Sequence, residues 1–479
     1  MANRRLSRAL WPAPLRRTQM KRNSCGKVGK VGSMRRAVFT IAYAAAATLL
    51  FAYAVAPVSS EAQNPPAGAR ADDVVRFRIT NPGQALYKIA IPAVIGDASA
   101  AAVMTEVMSA DLGLSGFFKV LDPKSFVADL AKEDVNMNPD SWKPVGAESV
   151  IKAKVTSNGS DLSVEFRLYE LVKGEQPVLG KSYRGPISDT RKLAHLFAAE
   201  VLKYFTTEDS FFHTQIAFSR VDGRQQELTI MDWDGADVRQ VTRNGSQNYL
   251  PGWSPRGDSL LYTSFVRGSA DLWQIPSAGG RPKRISTRPG MNTGGVFSPT
   301  SGVIAATLSY QGNSEIYLLN SDGEVLSRLT NNPGIDSSPS FSPDGKQIAF
   351  VSDRYGSPQI WVMAADGSGQ RRLTTKGNYN QEPSWAPKAI NGQSLVAFTG
   401  RDERGNFDIF TINVGNGELT RITEGHGSNS HPSWAPNARA LTYKSSRGGI
   451  WVSTFDGKTE RQVYRGAAET PVWGPMRAP

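Results

Sequence analysis

The residues of this chain that could do chemistry are few and poorly gathered. Four histidines occur in 479 residues, and only His426 and His431 lie close together. As metal ligands they would need further partners that the spacing does not identify, so they read as loop histidines. Asp232-Trp233-Asp234-Gly235-Ala236-Asp237 has the oxygen-rich look of a calcium loop. Its Asp-Gly pair recurs as Asp322-Gly323, Asp366-Gly367 and Asp456-Gly457, and glycine suits the φ > 0 geometry of a tight hairpin, so a turn is the favoured reading. Gly290 and Gly294 bracket Asn292 rather than a serine, and no Gly-x-Ser-x-Gly, His-Glu-x-x-His, Cys-x-x-Cys or phosphate-cradling glycine motif occurs. No catalytic residue, cofactor or metal site is assigned.

Around this sparse inventory the chain is regular. The phrase Pro251-Gly252-Trp253-Ser254-Pro255 returns around Phe297, Phe341, Trp385, Trp434 and Trp473, in steps of 44, 44, 44, 49 and 39 residues. A period near 44 marks one repeated supersecondary unit. Its fullest copy runs Pro339 to Gly345, Gln347 to Ser352, Gln359 to Met363, Asp366-Gly367 and Arg371 to Thr374. In Ser342-Pro343-Asp344-Gly345 the proline presets φ and the glycine accepts the geometry that follows. The segments between turns are β-branched or aromatic without a sustained 3.6-residue period, so they read as four strands. A four-stranded unit of roughly 40 to 45 residues has the size of a propeller blade. Residues 211–475 hold six such periods, and the first part, Thr214 to Thr242, lacks the aromatic phrase that Pro471 to Trp473 supplies at the far end. The expectation is an all-β six-bladed β-propeller over 211–479, closed by the C-terminal strand so that no sheet edge stays open. A solenoid of the same units is the alternative.

The net charge of +12 would by itself point to nucleic acid or an anionic surface. Eleven basic residues and one acid, Glu61, lie in residues 1–62, which leaves 44 basic and 42 acidic residues in a nearly neutral remainder. No nucleic-acid partner is expected. The imbalance belongs to a targeting segment: Met34-Arg35-Arg36, the apolar run Ala37 to Val55, and small residues Ser60 and Ala62. This is the layout of a secretory signal starting in effect at Met34, with cleavage expected after Ala62; an uncleaved anchor is the alternative, because the apolar run is almost long enough to span a bilayer. Cys25, the single cysteine, precedes the cut, so the mature chain has no thiol chemistry. Residues 63–80 read as a mobile leader containing a short strand pattern, Val74, Val75, Arg76, Phe77, Arg78 and Ile79. Residues 81–207 read as an α/β N-terminal domain: strands Tyr87 to Ile91, Phe117 to Leu121, Ser149 to Thr156, Leu162 to Glu170 and Val178 to Tyr183, helices Ala98 to Leu112 and Asp189 to Phe205, the second capped through Ser188-Asp189-Thr190, and an irregular stretch up to Pro144.

What remains for function is a surface. Strand order puts the loops before each aromatic phrase on one face of the ring, around the channel mouth. They carry Gln247 to Tyr249, then Asn292, Thr293 and Gly294, Asp336 and Ser337, Asn380 and Gln381, Ser430 and His431, and Glu469 and Thr470. Polar residues that differ among blades on a rigid scaffold are where binding is expected.

These features together resemble the TolB family, periplasmic propeller proteins of the bacterial Tol-Pal system. The resemblance covers nearly the whole mature chain: signal, leader, α/β domain, and repeats such as Phe341-Ser342-Pro343-Asp344-Gly345 and Ile360 to Gly367. Tricorn-type and dipeptidyl-peptidase propellers share the repeat; the order of domains makes the likeness specific. The resemblance implies a periplasmic, non-enzymatic scaffold without cofactor. It would bind the peptidoglycan-associated lipoprotein Pal on the loop face, where Met291 to Gly294 and Ser337 match, and TolA through the leader, about Gln63 to Ile79. It further implies support of outer-membrane integrity and of constriction at division, with no membrane insertion once the signal is removed. A periplasmic propeller hydrolase or sugar-binding protein is the alternative. Pro299-Thr300-Ser301-Gly302 and Pro387 to Gly392 depart from the Pro-Asp-Gly turn, on the face away from the proposed Pal surface.

Overall fold

Alternation of apolar and polar residues in Ser149–Asn158 splits that strand between two cores: Ile151, Ala153 and Val155 face two long helices, while Val150 faces Trp142 on the other side. The computed structural model describes residues 86–425 and 427–476; the targeting segment, the leader with Val74–Ile79, and His426 lie outside them. The sheet of the first domain runs Phe118–Val120, Tyr87–Ala90, Ser149–Asn158, Asp161–Glu170, Leu179–Pro186, with Ile95–Gly96 also paired to Ser149–Asn158. Its first three strands pair in parallel and its last three antiparallel.

Helices Ala98–Leu114 and Thr190–Thr206 cover one face. The second does not use the expected Ser188 cap. Ser188 lies in a 3-10 turn, Ile187–Asp189, and Asp189 precedes the helix without a side-chain cap bond; Thr190 Oγ1 instead donates to Ile187 O at 2.7 Å. The stretch up to Pro144, expected to be irregular, carries a 3-10 turn at Pro123–Ser125 and one-turn helices at Leu130–Glu133 and Pro139–Trp142. Each is started by an Asp or Asn that accepts a backbone N–H, and each is too short to show a period. They gather around the buried Trp142, whose Nε1 donates to Glu133 at 3.1 Å, while Glu133 pairs with the buried Lys152 at 2.9 Å.

Six four-stranded antiparallel sheets follow. The fourth blade pairs Asp336–Phe341, Gln347–Ser352, Gln359–Ala364 and Arg371–Arg372 in order, and the other blades repeat this meander. The first strands of the blades touch one another around the ring, which makes them the inner wall. Ala468–Trp473 pairs with Gln215–Asp222, Val472 opposite Ala217, so the last strand of the chain is the inner strand of the first blade. Trp473 donates from its amide to Ser433 at 2.9 Å and from Nε1 to Thr214 at 2.8 Å, and meets Phe211 edge-on at 5.2 Å. Trp253 and Trp434 likewise donate to carbonyls of the preceding blade, Val472 and Ser384. Among the described residues no helix is long and apolar enough to cross a membrane.

The α/β domain sits on the face opposite the channel mouth described below. One continuous core runs from Phe197 and Phe205 through Phe211, Phe212 and Trp233 to Val452 and Trp473. Polar contacts surround it: Arg191 pairs with Asp234, Glu208 with Lys388 and with Arg439 at 2.9 Å, Glu106 with Arg461 at 3.1 Å, and Asn437 Nδ2 donates to Asp209 O at 3.0 Å. Lys388 belongs to the turn after Pro387 that departs from Pro-Asp-Gly, and Asn437 and Arg439 to the matching turn of the sixth blade. The irregular turns of the fifth and sixth blades are therefore contact points at the junction with the first domain, whereas Pro299-Thr300-Ser301-Gly302 makes none of these contacts.

Candidate partner-binding face

The inner strand of every blade carries a β-bulge three residues before its aromatic. Register shifts fall between Tyr249 and Gly252, Thr293 and Val296, Ser337 and Ser340, Gln381 and Ser384, Ser430 and Ser433, and Glu469 and Val472. The residue in the bulge has positive φ in all six: Leu250 at 50°, Gly294 at 62°, Ser338 at 54°, Glu382 at 58°, His431 at 55° and Thr470 at 47°. Five of these precede proline, which disfavours helical backbone before it, and only Gly294 is free of the steric cost. The bulges tie blades together, because their amides reach hydroxyls of neighbours: Gly294 to Thr263 at 3.3 Å, Ser338 to Thr307 at 3.2 Å, His431 to Thr399 at 3.1 Å.

This geometry corrects the expectation that the polar segments ahead of the aromatic phrases are loops. Tyr249, Asn292, Thr293, Gly294, Asp336, Ser337, Asn380, Gln381, Ser430 and His431 all lie on inner strands. The bulge hides the continuity, since proline after it reads as a strand breaker while pairing resumes beyond. Asn292, Asp336 and Asn380 are buried and bound within the protein. Asn292 Nδ2 donates to Arg288 O at 2.7 Å and Ala270 O at 3.2 Å, and its Oδ1 accepts from Ser286 Oγ at 2.6 Å. Asn380 donates to Gln359 Oε1 and Lys376 O; Asp336 accepts from Asn332 and, at 2.8 Å, from Arg354. Burial raises the Asp336 carboxyl above its ordinary range against the pull of Ser352 and Arg354. Together with Asn248 and Asn429, these residues form a buried girdle that fixes the loops entering five of the six blades, the equivalent position of the first blade being the buried Ala468.

Other expected rim residues are partly open. Tyr249, Thr293, Gly294, Ser337, Gln381, Ser430 and His431 are half-buried and Met291 is exposed. His431 pairs through Nε2 with Glu382 at 3.0 Å, and Glu382 also accepts from Thr399 at 2.7 Å. Burial opposes the Glu382 charge, but His431 and these hydrogen bonds outweigh it and hold the carboxyl below its usual range. Glu469 pairs with Lys444. Asp232 to Gly235 forms a turn, with the Gly235 amide donating to Asp232 O at 2.9 Å, and among the described residues no three His, Cys, Asp or Glu side chains gather as a metal site.

A second rung of hydrogen bonds defines the outer rim. The residue before each girdle position accepts, through its carbonyl, the amide that opens the loop between second and third strands. Phe265 donates to Gln247, Ser309 to Met291, Asp353 to Ile335, Arg401 to Tyr379, Ser446 to Ser428 and Val221 to Ala467, at 2.7 to 3.3 Å. These twelve residues share one face. Sequence reasoning chose the girdle and missed Phe265, Val266, Ile335 and Tyr355, which are exposed. Only Ile335 flanks a repeated Asn or Asp; Phe265, Val266 and Tyr355 stand on loops between second and third strands, whose residues differ from blade to blade and carry no recurring signal.

A six-bladed propeller closed through its C-terminal strand, with an α/β domain docked opposite an open rim, defines the class of this protein. Residues 202–477 match the model of the TolB beta propeller domain, and residues 75–177 that of the TolB amino-terminal domain. The chain belongs to the TolB family. It is 42% identical over 213 residues to the Tol-Pal system protein TolB of Anaeromyxobacter dehalogenans, covering 44% of this chain and 49% of that protein. Against the protein of the same description from Paramagnetospirillum magneticum it is 33% identical over 227 residues, 45% of this chain and 50% of the relative. The matched stretches thus span about half the length of these curated relatives. The crystal structure of TolB from Acinetobacter baumannii superposes with a TM-score of 0.71 at 25% identity, covering 82% of this chain and 98% of that one.

Proposed function

We propose that this protein is a periplasmic, non-enzymatic scaffold of the Tol-Pal system. It binds Pal through the rim of the propeller and TolA through the leader segment Val74 to Ile79, supporting outer-membrane integrity and constriction during division. The observation that carries the reading is the rim itself: backbone bonds in all six blades and a buried polar girdle in five of them hold it, the α/β domain leaves it uncovered, and exposed side chains including Met291 stand on it. Rigid presentation lowers the entropy lost on docking. The names borne by the relatives supply the system, and a short apolar-polar segment such as Val74 to Ile79 suits addition to a partner's sheet edge.

Calorimetric titration with the soluble domain of Pal tests this reading. Wild type should bind and Ser337→Arg should not, because a long cation at a half-buried inner-strand position blocks the approach. Absence of heat from the wild type at several temperatures would return the hydrolase and sugar-binding alternatives.

A further inference from the structure

The rim is divided into two sectors. Twelve large apolar side chains are exposed among the described residues, and five of them, Phe265, Val266, Met291, Ile335 and Tyr355, stand on rim loops of three consecutive blades, the second to the fourth. On the fifth and sixth blades the end of the second strand and the loop after it carry Arg401, Glu403, Arg404 and Arg447 instead. Single exposed apolar residues are ordinary, but a contiguous set on one face marks an interaction site.

We propose that the sector on blades two to four anchors the partner, and that it takes a folded protein domain presenting an apolar patch bordered by carboxylates. The inference rests on the rim-docking reading above and adds the chemistry of the contact. Two of the anchors are held by neighbouring rings: Phe265 meets Tyr249 edge-on at 5.9 Å and Tyr355 lies 5.5 Å from Trp361. Little side-chain freedom is therefore lost when they dock. The border is cationic. Arg243, Arg288 and Lys376, on the loops entering the second, third and fifth blades, have no ion-pair partner among the described residues. The carboxylates of Asp271, Glu315 and Asp336 at the same end of the blades are buried, and Asp353 is occupied in part by the Ile335 amide at 2.6 Å. An apolar centre inside a positive border selects a partner with the opposite border. A second copy of this chain would set two cationic borders against each other, so self-association through this sector is disfavoured.

Titration of the full chain with the soluble domain of Pal, repeated from low to high salt, tests the assignment. The double variant Val266→Ser/Ile335→Ser should lose about thirtyfold or more in affinity at every salt concentration. Arg243→Gln/Lys376→Gln should slow association about tenfold at low salt and flatten the salt dependence. Arg404→Gln/Arg465→Gln, on a loop of the fifth blade and on the loop leading from the sixth blade into the first, both outside the sector, should bind as wild type does. All six positions are exposed, so unchanged thermal melting should accompany each result. Binding by wild type that survives Val266→Ser/Ile335→Ser overturns the sector and leaves rim docking standing; no binding by wild type at any salt overturns the rim-docking reading and this inference with it.

Discussion

Nδ1 of His195 lies 2.8 Å from a carboxylate oxygen of Asp111, with both side chains closed to solvent. The other ring nitrogen, Nε2, lies 3.6 Å from Asp234 on the first blade, which Arg191 also holds. One imidazole thus faces a carboxylate in each domain, where the second helix of the α/β domain meets the Asp234-Gly235 turn. Removing one member of a buried ion pair leaves the other charge without compensation, which costs about 3 to 5 kcal/mol. His195→Ala should therefore lower stability by about 3 kcal/mol in urea unfolding, and limited proteolysis should open the junction around Glu208 first. An unchanged midpoint would show that the pair is dispensable.

The same cluster predicts how stability depends on pH. Burial pushes the Asp111 carboxyl up to about 6 despite His195, and burial pushes His213 down to about 4, helped by His195 and Lys192. His195 is raised: burial lowers it, but Asp111 and Asp234 outweigh burial and Arg191. Between pH 6.5 and 4 the native state takes a proton at Asp111 and refuses one at His213, so the two effects on stability oppose each other. Above pH 6.5 His195 acts by itself within this cluster. Its raised pKa gives stability that is complete below 6.5 and lost as pH rises through the folded value. Urea midpoints should fall as pH rises from 6.5 to 8.5, and this cluster's share of the fall should vanish in His195→Gln.

Closure of the ring concentrates energy in its last strand. Trp473 is buried, joins three segments through Ser433, Thr214 and Phe211, and belongs to the strand that covers the edge of Gln215–Asp222. Trp473→Ala should cost about 3 to 5 kcal/mol. Gly235 lies at the other side of the same blade with φ of 93°, and a Cβ there would meet Val463 O at 1.9 Å. Gly235→Ala should therefore destabilise the seam between first and sixth blades comparably, readable as a lowered melting temperature with no change in the rim.

Much of this architecture was legible because a period near 44 repeats its turn chemistry, and Pro-Asp-Gly and Asp-Gly announce hairpins whatever the tertiary context. The site was less legible. Asn292, Asp336 and Asn380 stood out by recurrence, yet recurrence marked a shared structural duty, satisfying loop carbonyls and hydroxyls below the rim. Binding surfaces need not repeat, so Phe265, Ile335 and Tyr355 carried no periodic signal. The junction at His195 is absent from any local pattern, since Asp111, His195 and Asp234 are brought together only by packing of two helices on a turn. Lys388 and Arg439 could have been found, because their turns break the repeat where the first domain docks.

Backbone strain at the bulges gives a separate prediction. Ser338 has φ of 54° before Pro339, where Gly294 serves in the preceding blade. A non-glycine residue in that conformation costs about 1 to 3 kcal/mol, partly offset by the greater chain entropy that glycine loses on folding. Ser338→Gly keeps the amide bond to Thr307 and should stabilise the protein by about 0.5 to 1 kcal/mol. A loss of stability of the same size would show that the hydroxyl matters more than the strain.

Neighbouring residues of one strand end separate structure from recognition most directly. Asn292 is buried with its amide spent on Arg288 O, Ala270 O and Ser286 Oγ, whereas Met291, one residue earlier, is half exposed and contributes its backbone, not its side chain, to the rim bonds. Asn292→Ala should leave those loop groups without partners and cost about 2 kcal/mol of stability. Its effect on affinity for Pal, the proposed partner, should then track the loosened loop and be recovered on cooling. Met291→Asp should leave urea unfolding unchanged within about 0.5 kcal/mol and weaken the proposed binding of Pal at all temperatures, because it places a carboxylate in the apolar sector. Measuring both variants by unfolding and by titration sorts the two roles: if Met291→Asp loses stability and keeps binding, the exposed side chain is structural and the rim must be read again from its other loops.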